Sequence, residues 1–244
     1  MIKKIHDVDI NYINYGNNKG ESIVLLHGWG QNIAMMKPLG DPLKKDFNII
    51  IIDLPGFGES EEPKTVWTLD DYADAINELL KELKIDNPIL IGHSFGGKIS
   101  LLYASKYKCQ KLVLLASPFK QEIKKLSLKT KLLKTAKKIP GTEKLAEIAK
   151  KHIGSTDYKN ASKTMREILV EHVNYDLTES AKKIKAPTLI IWGTNDQAVD
   201  YHDAYELEKL IDNAGVVIYE NCTHYAYLEN LKQTINVLNS FLRE

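Results

Sequence analysis

Short apolar runs without polar alternation recur through the first half of the chain and return near its end. They occupy residues 23–26, 49–52, 88–91, 112–115, 187–193 and 216–219. Strands of a parallel sheet have this pattern because helices cover both of their faces. Residues 5–15 instead alternate apolar and polar side chains, which predicts an antiparallel hairpin or a pair of edge strands with one solvated face.

Apolar residues at helical spacing separate most of these runs. Residues 69–83 and 231–242 predict amphipathic helices, and shorter helical patterns follow residue 97 and span about 201–211. Strands and helices that alternate in this way predict a doubly wound parallel α/β sheet.

The alternation stops between residues 118 and 183, where no strand-like run occurs and breaks at 140–141, 154 and about 174 indicate four helices. Strand signals return afterwards, so this stretch is expected to interrupt one domain and not to separate two. The predicted organisation is an α/β core of residues 1–117 and 184–244, with residues 118–183 inserted as a helical cap.

Composition favours one α/β domain of ordinary size and limits the expected partners. The chain has 244 residues, of which 43% are hydrophobic and 27% charged, and its net charge is +1. That balance predicts neither a nucleic-acid partner nor a membrane partner. No apolar run approaches the roughly 18 residues of a membrane span, and no signal-peptide pattern opens the chain, so a cytoplasmic protein is expected.

Cysteine and lysine usage adds two limits. Cys109 and Cys222 are too few for a disulfide framework or a zinc motif, and no histidine, cysteine and carboxylate cluster suggests a metal. No metal and no cofactor are therefore expected. Residues 120–151 are rich in lysine, which could attract an anionic substrate, although a solvated helical face is the commoner meaning.

The sequence GHSFG at residues 92–96 joins the predicted strand at 88–91 directly to a helix. A strand that turns straight into a helix strains its central residue, and glycine two positions to either side allows close packing. Ser94 is therefore expected to expose its hydroxyl at the helix N-terminus, where free N–H groups stabilise negative charge. The alternative is a glycine-rich turn that only packs.

A serine hydroxyl with an ordinary pKa is a poor nucleophile unless a base, and a group that orients the base, lie nearby. Asp196 and His224 each follow the end of a predicted buried strand, where catalytic residues of α/β sheets gather. The chain order Ser94, Asp196, His224 is that of the nucleophile-elbow fold. Asp200 is a second carboxylate after the same strand, so it remains an alternative to Asp196.

Four motifs carry a resemblance to a known family. They are HGWG at 27–30, DLPGFGES at 53–60, GHSFGG at 92–97, and WGTND at 192–196 followed by the loop that contains His224. From about residue 10 to the C-terminus the chain resembles the α/β-hydrolase superfamily, in particular its capped bacterial esterase-like serine hydrolases. The resemblance implies an α/β-hydrolase fold, with a mostly parallel eight-stranded sheet flanked by helices and an inserted helical cap.

The family pattern also implies roles for individual residues. It makes Ser94 the nucleophile, His224 the general base and acid, and Asp196 the group that orients the imidazole. It places an oxyanion hole at the backbone N–H groups of Trp29 and Phe95. The side chains expected in the substrate pocket are those of Trp29, Phe95, Phe119, Val199 and Tyr225.

Three other motif residues are expected to be structural. His27 is expected to hold the oxyanion loop, and His93 to pack beside the elbow. Asp53 is expected to tie down the glycine-containing loop that follows it.

Rival members of the family differ at the motif positions. Ser94 argues against the family members that cleave carbon–halogen bonds or epoxides, because those members carry aspartate at the nucleophile position. Residues 27–30 lack the Pro-Gly element typical of proline-releasing peptidases and of many carbon–carbon bond hydrolases. Arg166 could bind a substrate carboxylate, although a surface arginine is the commoner case.

The sequence thus predicts a serine hydrolase, and more specifically a carboxylesterase that cleaves small to medium acyl esters through an acyl-enzyme on Ser94. The expected partner is a small-molecule acyl substrate, bound by a monomer or homodimer. Fold and triad do not determine the leaving group. The alternatives are a carbon–carbon bond hydrolase or acyltransferase of the same fold, or a ligand-binding or signalling protein without turnover.

Overall fold

The computed structural model describes residues 1–121 and 161–243. Within these ranges one sheet is formed by β1 (Ile2–Ile5), β2 (Val8–Gly16), β3 (Ser22–Leu26), β4 (Asn48–Ile52), β5 (Ile89–His93), β6 (Lys111–Leu115), β7 (Thr188–Gly193) and β8 (Ala214–Tyr219). The spatial order is β1-β2-β4-β3-β5-β6-β7-β8. Strand β2 pairs antiparallel with β1 and β4, and the other neighbours are parallel. The predicted mostly parallel eight-stranded sheet and its antiparallel edge hairpin are confirmed.

Helices cover both faces of this sheet. In the described ranges they are α1 (Ile33–Leu43), α2 (Leu69–Glu82), α3 (Phe95–Lys106), α4 (Lys163–Asn174), α5 (Thr178–Ala181), α6 (His202–Leu210), α7 (Ala226–Glu229) and α8 (Leu231–Arg243). The helices predicted from the sequence outside the insertion correspond to α2, α3, α6 and α8. None of the helices in this part of the chain is long and apolar enough to cross a membrane.

Side chains of the central strands alternate between two apolar cores. On β3, Val24 and Leu26 pack with residues of α2 and α3, whereas Ile23 and Leu25 pack with residues of α1 and α8. All four side chains are fully buried. The strands are therefore apolar at every position because both sheet faces are covered.

Helix α1 was not predicted from the sequence, and it contains Pro38 and Pro42. Proline inside a helix removes a backbone donor and normally breaks the helix. Here the side chain of Asn32 caps the first turn. The helix is held against the sheet by three buried residues, Met36, Leu39 and Leu43. The stabilisation from burying this helical face outweighs the tendency of the two prolines to break the helix.

A buried carboxylate fastens the loop after β4. Asp53 is 2% exposed, and its Oδ2 accepts hydrogen bonds from Asn11 Nδ2 at 2.8 Å and Glu59 N at 2.9 Å. Its Oδ1 accepts from Ile33 N at 2.7 Å, at the start of α1. The loop passes so close that a Cβ at Gly58, where φ is 58°, would lie 2.2 Å from Asp53 Cγ. The expected role of Asp53 is confirmed.

The predicted cap falls only partly within the described residues. Helices α4 and α5 lie between β6 and β7 in the chain, whereas residues 122–160 lie outside the described ranges. The earlier helices predicted for the insertion and most of the lysine-rich stretch fall on those residues. Lys98 Nζ of α3 donates to His172 O at 2.6 Å and to Tyr175 O at 2.9 Å. These bonds fasten the C-terminal end of α4 to the core.

Candidate active site

A single residue, Ser94, makes the turn between the end of β5 and the start of α3. Its φ of 50° and ψ of −110° form a strained backbone conformation for a residue that has a Cβ. Ser94 N donates to Leu115 O at 3.0 Å, which holds the turn at the carboxyl end of β6. Gly96 lets the turn pack on β3, because a Cβ there would lie 2.4 Å from Leu26 O. The elbow predicted from the sequence is present.

The side chains of Asp196 and His224 meet at the same edge of the sheet. Asp196 follows β7 and His224 follows β8, and Asp196 Oδ2 lies 2.7 Å from His224 Nδ1. The carboxylate is fully buried, and the imidazole is 16% exposed. If the Nδ1 proton points to the carboxylate, as this contact favours, Nε2 is left free to accept a proton.

Both oxygens of Asp196 are satisfied by donors. Oδ2 also accepts from Trp192 Nε1 at 2.9 Å. Oδ1 accepts from the backbone N–H groups of Ala198 at 2.8 Å and Val199 at 3.0 Å. Burial alone would raise the pKa of Asp196, but the hydrogen bonds from His224 and from these backbone groups hold the pKa below its ordinary value. The carboxylate therefore remains ionised at neutral pH.

Asp200 lies outside this arrangement. Its side chain is 67% exposed, and its Oδ1 lies 2.7 Å from His202 Nδ1. Of the two carboxylates that the sequence leaves open, Asp196 is the one that contacts His224.

His93 connects the elbow to the loop that carries His224. His93 Nε2 lies 3.1 Å from His224 O, and the two ring centroids are 4.8 Å apart. His224 is thus held against the residue next to Ser94. Among the described residues no hydrogen bond joins Ser94 Oγ to His224 Nε2. Catalytic hydrogen bonds of this kind are often long in enzymes without substrate.

The backbone N–H groups of Trp29 and Phe95 belong to two segments that are bonded together. Gly96 N donates to His27 O at 3.0 Å, which joins the start of α3 to the HGWG loop. The side-chain rings of Trp29 and Phe95 lie 5.3 Å apart between centroids. Within the described ranges neither of the two N–H groups has a hydrogen-bond acceptor. Both are therefore available to bind negative charge.

His27 shapes this loop, as expected from the sequence. Its Nδ1 lies 2.7 Å from Gly28 O, and its Nε2 accepts from Leu54 N at 3.0 Å. These partners fit a neutral imidazole with its proton on Nδ1. Burial lowers the pKa of His27 to about 4, so the ring stays neutral at pH 7.

Gln31 joins three segments of the site and was missed by sequence reasoning. Its Oε1 accepts from Gly28 N at 3.1 Å and lies 3.3 Å from His93 Nδ1. Its Nε2 donates to the Tyr225 hydroxyl at 3.1 Å. The HGWG loop, the elbow and the loop of His224 are thus held together by one amide. The available signal was a polar side chain directly after HGWG, a position that no motif includes.

His172 of α4 packs on the rings of Trp29 and Phe95. It stacks on Trp29 with 5.0 Å between centroids and 23° between planes, and its centroid lies 4.5 Å from that of Phe95. The residue is 8% exposed, and in the part of the chain that the structure describes neither ring nitrogen has a hydrogen-bond partner. Burial, helped by the nearby charge of Lys98, lowers the pKa of His172 to about 3. No motif marks His172, so the sequence did not identify it.

A cavity of about 340 Å³ opens beside the HGWG loop. It is lined by Trp29, Gly30, Gly56, Phe57, Glu62, Ala161, Ser162 and Met165. Of the predicted pocket residues, Trp29 lines this cavity and Phe95 contacts the Trp29 ring. Phe95, Phe119 and Val199 are all buried in one apolar core and are not among the residues that line the cavity. Tyr225 is 40% exposed and is bonded to Gln31.

The described residues contain no group of three or more histidine, cysteine, aspartate or glutamate side chains placed to hold a metal ion. Cys109 and Cys222 are both free thiols. The titratable side chains at this sheet edge instead bond to one another or to the backbone, as His27 and Asp196 do.

A family model described as the alpha/beta hydrolase fold matches residues 21–142 and 147–231. The chain belongs to the α/β-hydrolase family. The matched ranges include the HGWG loop, the elbow and the segments that carry Asp196 and His224, so the resemblance inferred from the motifs is confirmed.

Known proteins resemble this α/β-hydrolase along nearly its whole length. The AB hydrolase superfamily protein YisY of Bacillus subtilis is 27% identical over 246 residues, which cover 90% of each chain. Monoacylglycerol lipase ABHD6 of Mus musculus is 31% identical over 257 residues, which cover 91% of this chain and 75% of that protein. The crystal structure of the enol-lactonase from Burkholderia xenovorans LB400 has a TM-score of 0.80 and 23% identity over the whole of both chains. That structure shares the fold.

Three buried imidazoles predict that the hydrolase loses stability in mild acid. Burial lowers the pKa of His27 to about 4 and those of His93 and His172 to about 3, from an ordinary value of 6.5. At a pH between the lowered pKa and 6.5, these histidines are protonated in the unfolded chain but neutral in the folded chain. The free energy of unfolding should therefore fall as the pH falls from about 6.5 to about 4, by up to about 1.4 kcal/mol per pH unit for each imidazole.

Denaturant unfolding between pH 7 and pH 4.5 measures this slope. His172→Phe removes one of the three imidazoles. Unfolding should then take up nearly one proton fewer, so the free energy of unfolding should fall less steeply with falling pH. His202→Phe is the control, because the His202 side chain is 64% exposed and should leave the slope unchanged. Equal slopes for the wild type and His172→Phe would contradict the prediction.

Proposed function

We propose that the protein is a serine carboxylesterase that cleaves small to medium acyl esters, with Ser94, His224 and Asp196 as its catalytic residues. The observation that carries this proposal is the Asp196 Oδ2 to His224 Nδ1 hydrogen bond of 2.7 Å, held against the elbow that bears Ser94. A buried carboxylate that orients an imidazole beside a half-buried serine is the arrangement that activates a hydroxyl.

The first half of the reaction transfers the acyl group to the protein. Ser94 Oγ attacks the ester carbonyl carbon while His224 Nε2 takes the hydroxyl proton. Asp196 keeps the imidazole in the required tautomer and stabilises its positive charge. The tetrahedral intermediate then collapses, His224 gives its proton to the departing alcohol oxygen, and an acyl-enzyme on Ser94 remains.

Water completes the cycle in a second half-reaction, in which water is the nucleophile and Ser94 is the leaving group. His224 takes a proton from water, the resulting hydroxide oxygen attacks the acyl carbon, and the carboxylic acid leaves as Ser94 recovers its proton. Both halves create an oxyanion. The backbone N–H groups of Trp29 and Phe95 would bind it, and each donor aimed at an oxyanion lowers the barrier by roughly 3 kcal/mol. The N-terminal end of α3 adds a favourable dipole.

The size of the substrate is proposed from the cavity and the insertion. The cavity is lined by Trp29 but by neither Ser94 nor His224, and we assign it to the acyl chain because Trp29 carries one of the two oxyanion N–H groups. Its volume of about 340 Å³ lies at the low end for small-molecule sites, which suits a short or medium acyl chain. We assign residues 118–183 as a cap on the core formed by 1–117 and 184–244. Met165 of α4, inside that insertion, lines the cavity, which supports a role of the cap in substrate selection.

The relatives support ester chemistry in particular. ABHD6 is named a monoacylglycerol lipase, and an ester of that kind fits the proposed acyl-enzyme route. Acyl transfer to an alcohol would use the same acyl-enzyme, and added alcohols that intercept it would reveal that activity. A cytoplasmic location and a monomeric or homodimeric state stay predictions from the sequence.

A panel of p-nitrophenyl esters from acetate to decanoate tests the proposal. The wild type should turn over the shorter esters, and Ser94→Ala should lose at least about a thousandfold in kcat because the acyl-enzyme cannot form. Ser105→Ala, on the same helix, where the Ser105 hydroxyl donates to Leu102 O, is the matched control and should retain activity. Equal rates for the wild type and Ser94→Ala would rule out Ser94 as the nucleophile.

The two carboxylates near β7 should respond differently to the same change. Asp196→Asn should lower kcat by about ten-thousandfold, the scale known for loss of the correct imidazole tautomer. Asp200→Asn should change kcat by less than about twofold, because Asp200 bonds His202 at the surface. Steady-state kinetics with p-nitrophenyl butyrate measure both variants. A larger loss in Asp200→Asn than in Asp196→Asn would reverse the assignment.

A further inference from the structure

The imidazole of His172 is a buried polar group next to the site that the proposed mechanism does not use. It is 8% exposed, and neither Nδ1 nor Nε2 has a hydrogen-bond partner among residues 1–121 and 161–243. Leaving a buried polar group unpaired destabilises the folded protein, and native proteins seldom tolerate it without a reason. A phenylalanine of similar shape would avoid that cost at this position.

The protein holds His172 firmly where it meets the site. The buried residues of α4 are Met165, Ile168 and His172, which lie on one helical face. Met165 lines the cavity beside the HGWG loop, so this face of α4 is turned to the site. Lys98, one helical turn after Ser94, bonds the carbonyl oxygen of His172 itself at 2.6 Å. The backbone at His172 is thereby tied to the helix that starts at the elbow.

The rings around His172 belong to the two residues of the proposed oxyanion hole. Trp29 stacks on one face of the imidazole, and Phe95 lies against it at 4.5 Å. Trp29 is stacked on the imidazole and Phe95 is tilted to it by 47°, and neither ring gives the nitrogens a hydrogen-bond partner. The imidazole edge, which carries both nitrogens, is therefore the part that a third group can bind. A substrate whose carbonyl oxygen is bound by the Trp29 and Phe95 backbones would place its neighbouring atoms close to this edge.

The chemistry of the imidazole limits what that third group can be. Burial and the nearby Lys98 charge keep the ring neutral at pH 7. A neutral imidazole offers one N–H donor and one acceptor nitrogen. A carboxylate could use only the donor and an ammonium only the acceptor, and either charge would be costly to bury there. A hydroxyl group can accept from one nitrogen or donate to the other, so it is the best match.

We propose that His172 binds a hydroxyl group carried by the ester substrate, so that the site prefers hydroxylated esters to analogues that lack this hydroxyl. The inference rests on the proposed function, because the hydroxyl must be part of the molecule that Ser94 attacks. The hydroxyl can belong to the alcohol part or to the acyl part of the ester. A site built to pair with a hydroxyl discriminates strongly against an analogue that leaves its polar group unpaired.

Two matched pairs of substrates test the proposal. Glycerol monobutyrate and propyl butyrate differ by hydroxyls on the alcohol part, and methyl 3-hydroxybutyrate and methyl butyrate differ by one on the acyl part. For at least one pair the wild type should favour the hydroxylated ester by at least about tenfold in kcat/KM. His172→Phe, which keeps a ring on Trp29, should reduce that ratio to near one. The pair that responds identifies which part of the ester His172 binds.

Further variants keep the comparison decisive. His172→Leu is measured as well, so that poor folding of one variant does not remove the test. His202→Phe, at an exposed histidine, should keep the wild-type ratios. Using a ratio within each pair cancels any general change in catalysis.

Two results would overturn the proposal. In the first, the kcat/KM ratio of hydroxylated to plain ester is the same in the wild type and the His172 variants for both pairs. In the second, the wild-type ratio is near one for both pairs. Turnover of p-nitrophenyl butyrate by the wild type, absent in Ser94→Ala, is recorded separately. If that turnover is present, either result refutes the role of His172 alone. If it is absent, the proposed function fails and this inference fails with it.

Discussion

The hydrogen bond between Asp196 Oδ2 and His224 Nδ1 is the interaction on which the rest of the site depends. A fully buried carboxylate is costly unless donors surround it, and here an indole, two backbone N–H groups and the imidazole do so. Because those donors hold Asp196 ionised and fixed, the imidazole has one orientation and one available basic nitrogen. The strained turn at Ser94 is useful only if that nitrogen is in reach.

Most functional groups of the site lie on loops, and buried polar contacts hold those loops in place. His27 and Asp53 fasten the HGWG loop and the loop after β4, each through backbone N–H donors. Gln31 and His93 then connect the HGWG loop to the loop that carries His224. These contacts are made between loops at the carboxyl ends of different strands, so the sheet brings the segments near one another and side chains fix their final positions.

The parts of the structure that could be predicted from the sequence are those determined by local pattern. Doubly covered strands need apolar residues throughout, and the elbow needs its glycines, so both leave a clear signal. Helix α1 was missed because Pro38 and Pro42 oppose a helix that only burial against the sheet stabilises. Gln31 and His172 were missed because their partners are distant in the sequence and no motif includes them. Asp196 and Asp200 could not be separated without the contact to His224.

Reaction with diisopropyl fluorophosphate tests the central claim most directly, because this reagent labels a serine only when a base activates its hydroxyl. Peptide mass spectrometry should find one phosphoryl adduct per chain, on Ser94, and the adduct should form in step with the loss of esterase activity. His224→Ala should slow labelling by orders of magnitude. An adduct on another residue, or labelling of Ser94 at the same rate in His224→Ala, would contradict the claim that His224 activates Ser94.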